Sequence, residues 1–368
     1  MNLDRSIDFL LDRASPVIRY RLHKHILKDL TPTSEQNLLQ QIYATPHFQL
    51  LQNYVKPNGY IGIGMHSWDK FKRTPLEDGE SAARLLSYYA IPTEHPIVAN
   101  FVNALRDDTI LQAEFSYYKP EVARFENRFR GLNNGTGVMV LVYTMQAMLG
   151  HGDDTPVQPF QDTALQAFRS VLPLSSLSDI TRQRTGSRAR YAYPYIDENE
   201  YFPCSYHLIA LSYSSKWRSA ANLQLMADAI NHIDTVMRDD NRLHVKLGSR
   251  YYVPLWALCR PFRAFDTTTV DGVMYRRVLS ELAMLGAGRR VEVLNRSADA
   301  VQESLKADGI LRLGKTTAYQ KRRLIESLTW PTAYGDGGLE PDYRQPDALN
   351  VELTFWAVEF LHLIEQAA

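Results

Sequence analysis

Residues Tyr191–Trp217 read YAYPYIDENEYFPCSYHLIALSYSSKW, a loop and helix that hold eight aromatics, three carboxylates, one of the chain's two cysteines and a histidine. The loop closes at Pro203, which fits the first turn of a helix because the N–H that proline lacks has no partner there. Asp197, Glu198 and Glu200 precede it, where negative charge favours a helix N-terminus. From Pro203 the spacing predicts a helix to Trp217. Steps of four, three and four put Tyr206, Ala210, Tyr213 and Trp217 on one face, with His207, Leu211 and Ser214 on the adjoining stripe. Such a face is either core or the wall of a cavity, and periodicity does not choose.

Outward from this stretch the helical period dominates, and strand-like alternation is confined to the region Leu243 to Tyr252. Toward the N-terminus the pattern predicts helices over Ser6–Leu11, Pro16–Leu30 and Ser34–Tyr54, the last with a kink or restart at Pro46. Further helices are predicted at Leu76–Tyr89, Pro96–Arg106, Gly135–Leu149 and Pro156–Leu172. Beyond Trp217 they fall at Asn222–Met237, Pro254–Phe265, Asp271–Leu285, Arg290–Lys306 and Asp347–Gln366. The fold class is therefore all-α. Between these helices an Asp or Asn, often a Gly, and then an apolar residue recur, at Asn58-Gly59-Tyr60-Ile61, Asp308-Gly309-Ile310-Leu311 and Asp336-Gly337-Gly338-Leu339, with weaker copies at Asp108 and Asp240. A helix that ends this way uses a left-handed glycine to reverse, and the apolar residue tucks beneath the pair. Helix pairs that bury their faces only against neighbours must stack into a solenoid or close into a ring.

Helix pairs punctuated by these turns, with proline-led aromatic segments such as FPCSYHLIAL and YVPLWALCR, resemble the squalene cyclase and protein prenyltransferase repeat proteins, and most of all bacterial members known only by that repeat. The resemblance spans nearly the whole chain. It implies a single α/α toroid over residues 1–368, with N-terminal helices in 1–55 and five to six helix pairs around a central cavity in 56–368, as an incomplete or closed ring. It also implies an inner ring drawn from Leu76–Tyr89, Gly135–Leu149, Pro203–Trp217, Pro254–Phe265 and Asp347–Gln366.

The cyclases of that superfamily protonate an alkene with Asp-x-Asp-Asp. The Asp-Asp pairs at 107–108, 153–154 and 239–240 lack the earlier Asp. The prenyltransferase zinc site needs an Asp two positions before a Cys, which neither Cys204 nor Cys259 has. Cys204-x-x-His207 offers two ligands on one turn but no third, so no metal and no cofactor is expected.

Bulk composition narrows the partners. Forty-one basic and 41 acidic residues cancel, so no global field draws nucleic acid or an anionic membrane. A local run at Arg182, Arg184, Arg188 and Arg190 reads as a solvated loop or an anion-binding one. With 45% hydrophobic residues the chain has material for a large core. No window reaches the apolar length of a membrane span. Acids flank the apolar patch of MNLDRSIDFLLDRASP, so it does not read as a signal peptide, and two cysteines suit a reducing compartment; a cytoplasmic location is expected.

The catalytic candidates are Glu80, His66, His207 and Asp336, at or near the starts of predicted inner helices. Ligand-binding candidates are Trp68, Tyr206, Tyr213, Trp217 and Trp330. Asp78, Asp197, Glu198 and Glu340 are further acids, although acids at helix starts also simply complement the dipole. Asn133-Asn134-Gly135-Thr136-Gly137 reads as a loop that either lines a cavity mouth or caps the next helix. Three functions stay open: a cavity that binds or converts a hydrophobic, isoprenoid-type molecule; a carbohydrate-active enzyme with carboxylates at the cavity mouth; and a scaffold that binds another protein.

Overall fold

The computed structural model describes residues 3–66, 78–115, 128–184, 193–237, 242–329 and 337–367. Its first helices are α1 (Asp4–Arg13), α2 (Pro16–Arg21), α3 (Pro32–Tyr43) and α4 (Pro46–Gln52). The last three start alike, with Ser15, Thr31 or Thr45 capping and a proline in the first turn, so Pro46 is a restart. Helix α2 runs on as a π-helical turn over Leu22–Leu27 and stops where Lys28 turns left-handed at φ 55°.

The later helices are α5 (Gly79–Tyr88), α6 (Pro96–Ala104), α7 (Asp108–Phe115), α8 (Met139–Gln146), α9 (Gln158–Arg169), α10 (Ser205–Ser212), α11 (Ala220–Val236), α12 (Val270–Met274), α13 (Arg276–Met284), α14 (Glu292–Leu305), α15 (Ala318–Thr329) and α16 (Ala348–Gln366). A second π-helical turn, Ala147–His151, extends α8. One small sheet joins β1 (Tyr195–Asp197) in parallel to β2 (His244–Leu247), which pairs antiparallel with β3 (Arg250–Tyr252).

The helix expected over Pro254–Phe265 is not formed. Its N–H groups are spent elsewhere: Leu255 donates to the Gly135 carbonyl and Leu258 to the Pro203 carbonyl, while the Trp256 carbonyl accepts from Ser205. Trp256 is left-handed at φ 56° and Pro261 removes a helical donor. The segment clamps the start of α10 instead. Helix α10 itself ends at Ser212, five residues before Trp217, and Tyr213 leaves helical geometry. Two helices lay outside the expected series. Asp107 caps α7 through the Thr109 and Ile110 N–H groups, so Asp108 begins a helix rather than ending one. Helix α15 buries only Leu324 and Leu328, a stripe too thin to announce itself. The turn glycines Gly59 and Gly309 are left-handed, at φ 84° and 80°, as the turn signature requires. Asp240 and Asp336 of that signature lie outside the described residues.

Apolar packing forms two clusters. One gathers α1 to α8; the other gathers α11 to α15 and most of α9, whose Phe160 reaches the first. Helices α10 and α16 belong to both. Tyr206, Ile209 and Ala210 of α10 face the first cluster, and Leu208 and Leu211 the second. On α16, Val351, Phe355 and Val358 face the first, and Leu353, Trp356 and Phe360 the second. A helix buried on opposite sides reads as apolar all round, as both sequences do. Helix α5 packs on α8, α8 on α10, α10 on α13, α13 on α16, and α16 on the π-helical turn after α2. From α2, Arg21 reaches the Tyr88 carbonyl at the end of α5 at 2.9 Å.

Candidate functional site

Asp78 caps α5 by accepting from the Ser81 N–H at 2.8 Å. That cap sets Glu80 in the first turn, facing inward and fully buried. One turn on, Arg84 donates to Glu80 at 3.0 Å. His66 Nδ1 lies 2.7 Å away, and the Tyr206 hydroxyl from α10 is 2.9 and 3.0 Å from the two carboxylate oxygens. Burial alone would raise the Glu80 pKa, but the His66 hydrogen bond and the nearby charges of Arg84 and His66 outweigh it and hold the carboxyl at about 2. With Glu80 ionised, the hydrogen shared with His66 sits on Nδ1. Burial, then the Glu80 charge, keeps Tyr206 protonated as a donor. The structure thus brings together Glu80, His66 and Tyr206, and adds Arg84.

The other candidates fall elsewhere. Buried His207 accepts the Cys204 N–H on Nδ1 and donates from Nε2 to the Leu132 carbonyl at 2.7 Å. Burial lowers its pKa to about 4, so the ring is neutral and ties a loop to the start of α10. Trp217 donates to the Leu211 and Ser214 carbonyls and packs in the second apolar cluster, away from Tyr206. Tyr213 lines a cavity. Trp68, Trp330 and Asp336 lie outside the described residues. The Gly135 loop is filled by protein, since a β-carbon there would meet Cys204 Sγ at 2.6 Å. Among the described residues no group of three His, Cys, Asp or Glu side chains has the arrangement of a metal site.

The cavity is about 770 Å³, within the range of small-molecule sites. Helices α2, α5, α13 and α16, both π-helical turns and Tyr213 wall it. Its interior is mixed rather than apolar. Arg276 pairs with Glu352 at 3.3 Å, Arg277 with Glu281 at 3.5 Å and Arg21 with Glu359 at 2.6 Å. Phe355 and Trp356 stand among these pairs on α16, and the indole N–H of Trp356 is fixed by the Ser280 hydroxyl at 2.9 Å. Arg84 lies 3.9 Å from Glu281, which joins the Glu80 cluster to the cavity wall. Glu352 also accepts from the Leu339 N–H at 2.8 Å and the Tyr343 hydroxyl at 2.9 Å, so it holds the segment whose Gly337 and Leu339 line the cavity. Beside it, burial pushes the Glu340 carboxyl up to about 7, opposed by hydrogen bonds from Ser15 and reinforced by the Glu352 charge.

Backbone irregularity converges on the same place. Both π-helical turns supply lining residues, and such turns are frequent at functional sites. Of the three left-handed residues other than glycine among the described ones, Lys28 and Ala90 also line it. Strain of this kind costs on the order of 1–3 kcal/mol per residue and persists where the surroundings enforce it.

The charged lining carried a periodic signal that the reading of the sequence passed over. Glu352, Phe355, Glu359, His362 and Gln366 follow steps of three, four, three and four, so they share a face of an otherwise apolar helix. Arg21, Lys24, His25 and Lys28 repeat the pattern after α2. Charges embedded in apolar helices are the informative exceptions to burial, more so than acids at helix starts. Compared with known protein families, curated proteins and solved structures, the chain matches none.

Proposed function

We propose that the chain is a carbohydrate-active protein, with α2, α5, α8, α10, α13 and α16 as the inner helices of an α/α toroid around this cavity. The contacts from one helix to the next, and the Arg21 link back to α5, support the ring. The observation that carries the function is the set of Arg–Glu pairs facing one cavity of about 770 Å³. An isoprenoid chain would strip water from these groups and return no hydrogen bonds, which disfavours it by several kcal/mol. Sugar hydroxyls both donate and accept, so they replace that water. Tyr213, half-buried in the wall, offers an apolar face to the sugar ring. Glu281 and Glu352, on neighbouring helices, both line the cavity and are the carboxylates we assign to act on a bound sugar.

Calorimetric titration with a panel of mono- and disaccharides, and with farnesol, tests this. Sugar binding that weakens about tenfold or more in Glu352→Gln is expected, since hydrogen bonds to charged groups are worth about 1.5–3 kcal/mol. Farnesol binding with a silent sugar panel would overturn the proposal.

A further inference from the structure

The cavity's interior and its mouth differ in how their charges are matched. Inside, every cation that the three pairs use has its own carboxylate. At the mouth, marked by the exposed lining residues His25, Lys28, Glu94 and Gln366, the match is looser. Lys28 makes no ion pair among the described residues. Lys24 hydrogen-bonds to the Tyr20 hydroxyl at 2.7 Å and stands 3.7 Å from Glu35, a looser partnership than those inside. Glu94 is a carboxylate on this side, fully exposed, accepting from the Thr93 hydroxyl at 2.8 Å and close enough to feel the Lys24 charge.

His25 sits among these charges. Partial enclosure by the cavity wall, then the charges of Arg21, Lys24 and His362, lower its pKa, and Glu359 opposes them. The groups that face it are thus Arg21 and Lys24 on its own segment and Glu359 and His362 on α16, Glu359 being already paired with Arg21. No hydrogen bond reaches its ring among the described residues. Lys24, His25 and Lys28, on one π-helical turn and its cap, therefore line the opening, and of the two ammonium groups Lys28 has no carboxylate partner among the described residues.

We infer that the ligand carries an anionic group, a phosphate or a carboxylate, that docks at the cavity mouth against Lys24, His25 and Lys28. For the remainder of the ligand this rests on the carbohydrate reading. Two ammonium groups and an imidazole N–H form charge-assisted hydrogen bonds to such oxygens, and the anion would supply the counter-ion that Lys28 lacks among the described residues. A neutral sugar would leave Lys28 without one.

The test is calorimetric titration at pH 7.5 with glucose, glucose 6-phosphate, glucuronate and inorganic phosphate, each at 50 and 500 mM NaCl, on the wild type, Lys28→Ala and His25→Ala. Lys28 is exposed and alanine keeps the β-carbon its left-handed backbone already carries, so folding is expected to be retained; thermal melts of the unliganded variants check it. One anionic sugar is expected to bind about tenfold or more tighter than glucose, the worth of about 1.4 kcal/mol. That advantage should shrink in both variants and at high salt, and whichever anion wins identifies the group. Equal binding of glucose and both anionic sugars overturns the inference, as does an advantage that neither variant changes. Inorganic phosphate binding that Lys28→Ala abolishes, with no sugar bound, sustains the anion site and removes the carbohydrate reading. Silence from all four ligands removes both.

Discussion

Glu80 was visible in the sequence as an acid beside a helix start, and the bland reading, dipole complementation, was the natural one. Its actual setting is a buried carboxylate surrounded by His66, Arg84 and Tyr206. The Arg84 partner was legible from its spacing of four; Tyr206 was not, because no local pattern relates two helices 126 residues apart. Glu80→Gln removes the charge and leaves Arg84 buried without its nearest counter-ion, so a loss of about 3–5 kcal/mol in urea melts is expected. The pH dependence has a definite sign. The folded pKa, about 2, lies below the unfolded value near 4.5, so the contribution is complete above that unfolded value and drains away as pH falls toward 2. His207 adds to the same trend at higher pH: its folded pKa of about 4 lies below 6.5, so its contribution is complete above pH 6.5 and is lost as pH falls toward 4. Urea midpoints that stay flat from pH 7 to 3 would contradict both assignments.

Among elements, the long ones were legible, α11 from a one-sided buried stripe and α16 from its length and its apolar character all round. Segment 254–265 misled because its apolar content serves a clamp whose hydrogen bonds run to the Gly135 and Pro203 carbonyls, contacts with no local trace. Helix α10 was overextended for a related reason: Trp217 keeps the right spacing but satisfies its indole on the helix end instead of continuing it. The turn glycines were readable from neighbouring residues alone. Gly309 is left-handed, and a β-carbon there would meet Arg5 Cβ at 2.9 Å. Ser6 on α1 donates to its carbonyl at 2.7 Å, so the turn after α14 is the seat of α1. Gly309→Ala is expected to cost about 1–3 kcal/mol and to lower the thermal midpoint. A midpoint unchanged within a degree would mean that the turn tolerates a side chain.

For the molecule as a whole, the two apolar clusters are not independent, because α10 and α16 contribute opposite faces to each. Leu353→Ala, fully buried in the second cluster, is expected to cost about 2–5 kcal/mol. Fluorescence and far-ultraviolet circular dichroism should lose signal at one urea midpoint in the wild type and in this variant. Separate midpoints would show that the clusters melt apart. The same sharing sets a timetable in the cell. Helix α1 rests on α16, and the two are separated by almost the whole described chain. At ribosomal speeds of roughly 5–20 residues per second, α1 waits on the order of tens of seconds before its partner is made. Throughout that interval the face of α1 that packs on α16 lacks its partner. Nascent chains are thus exposed to chaperones until α16 has been made, and both clusters close only when that helix leaves the exit tunnel.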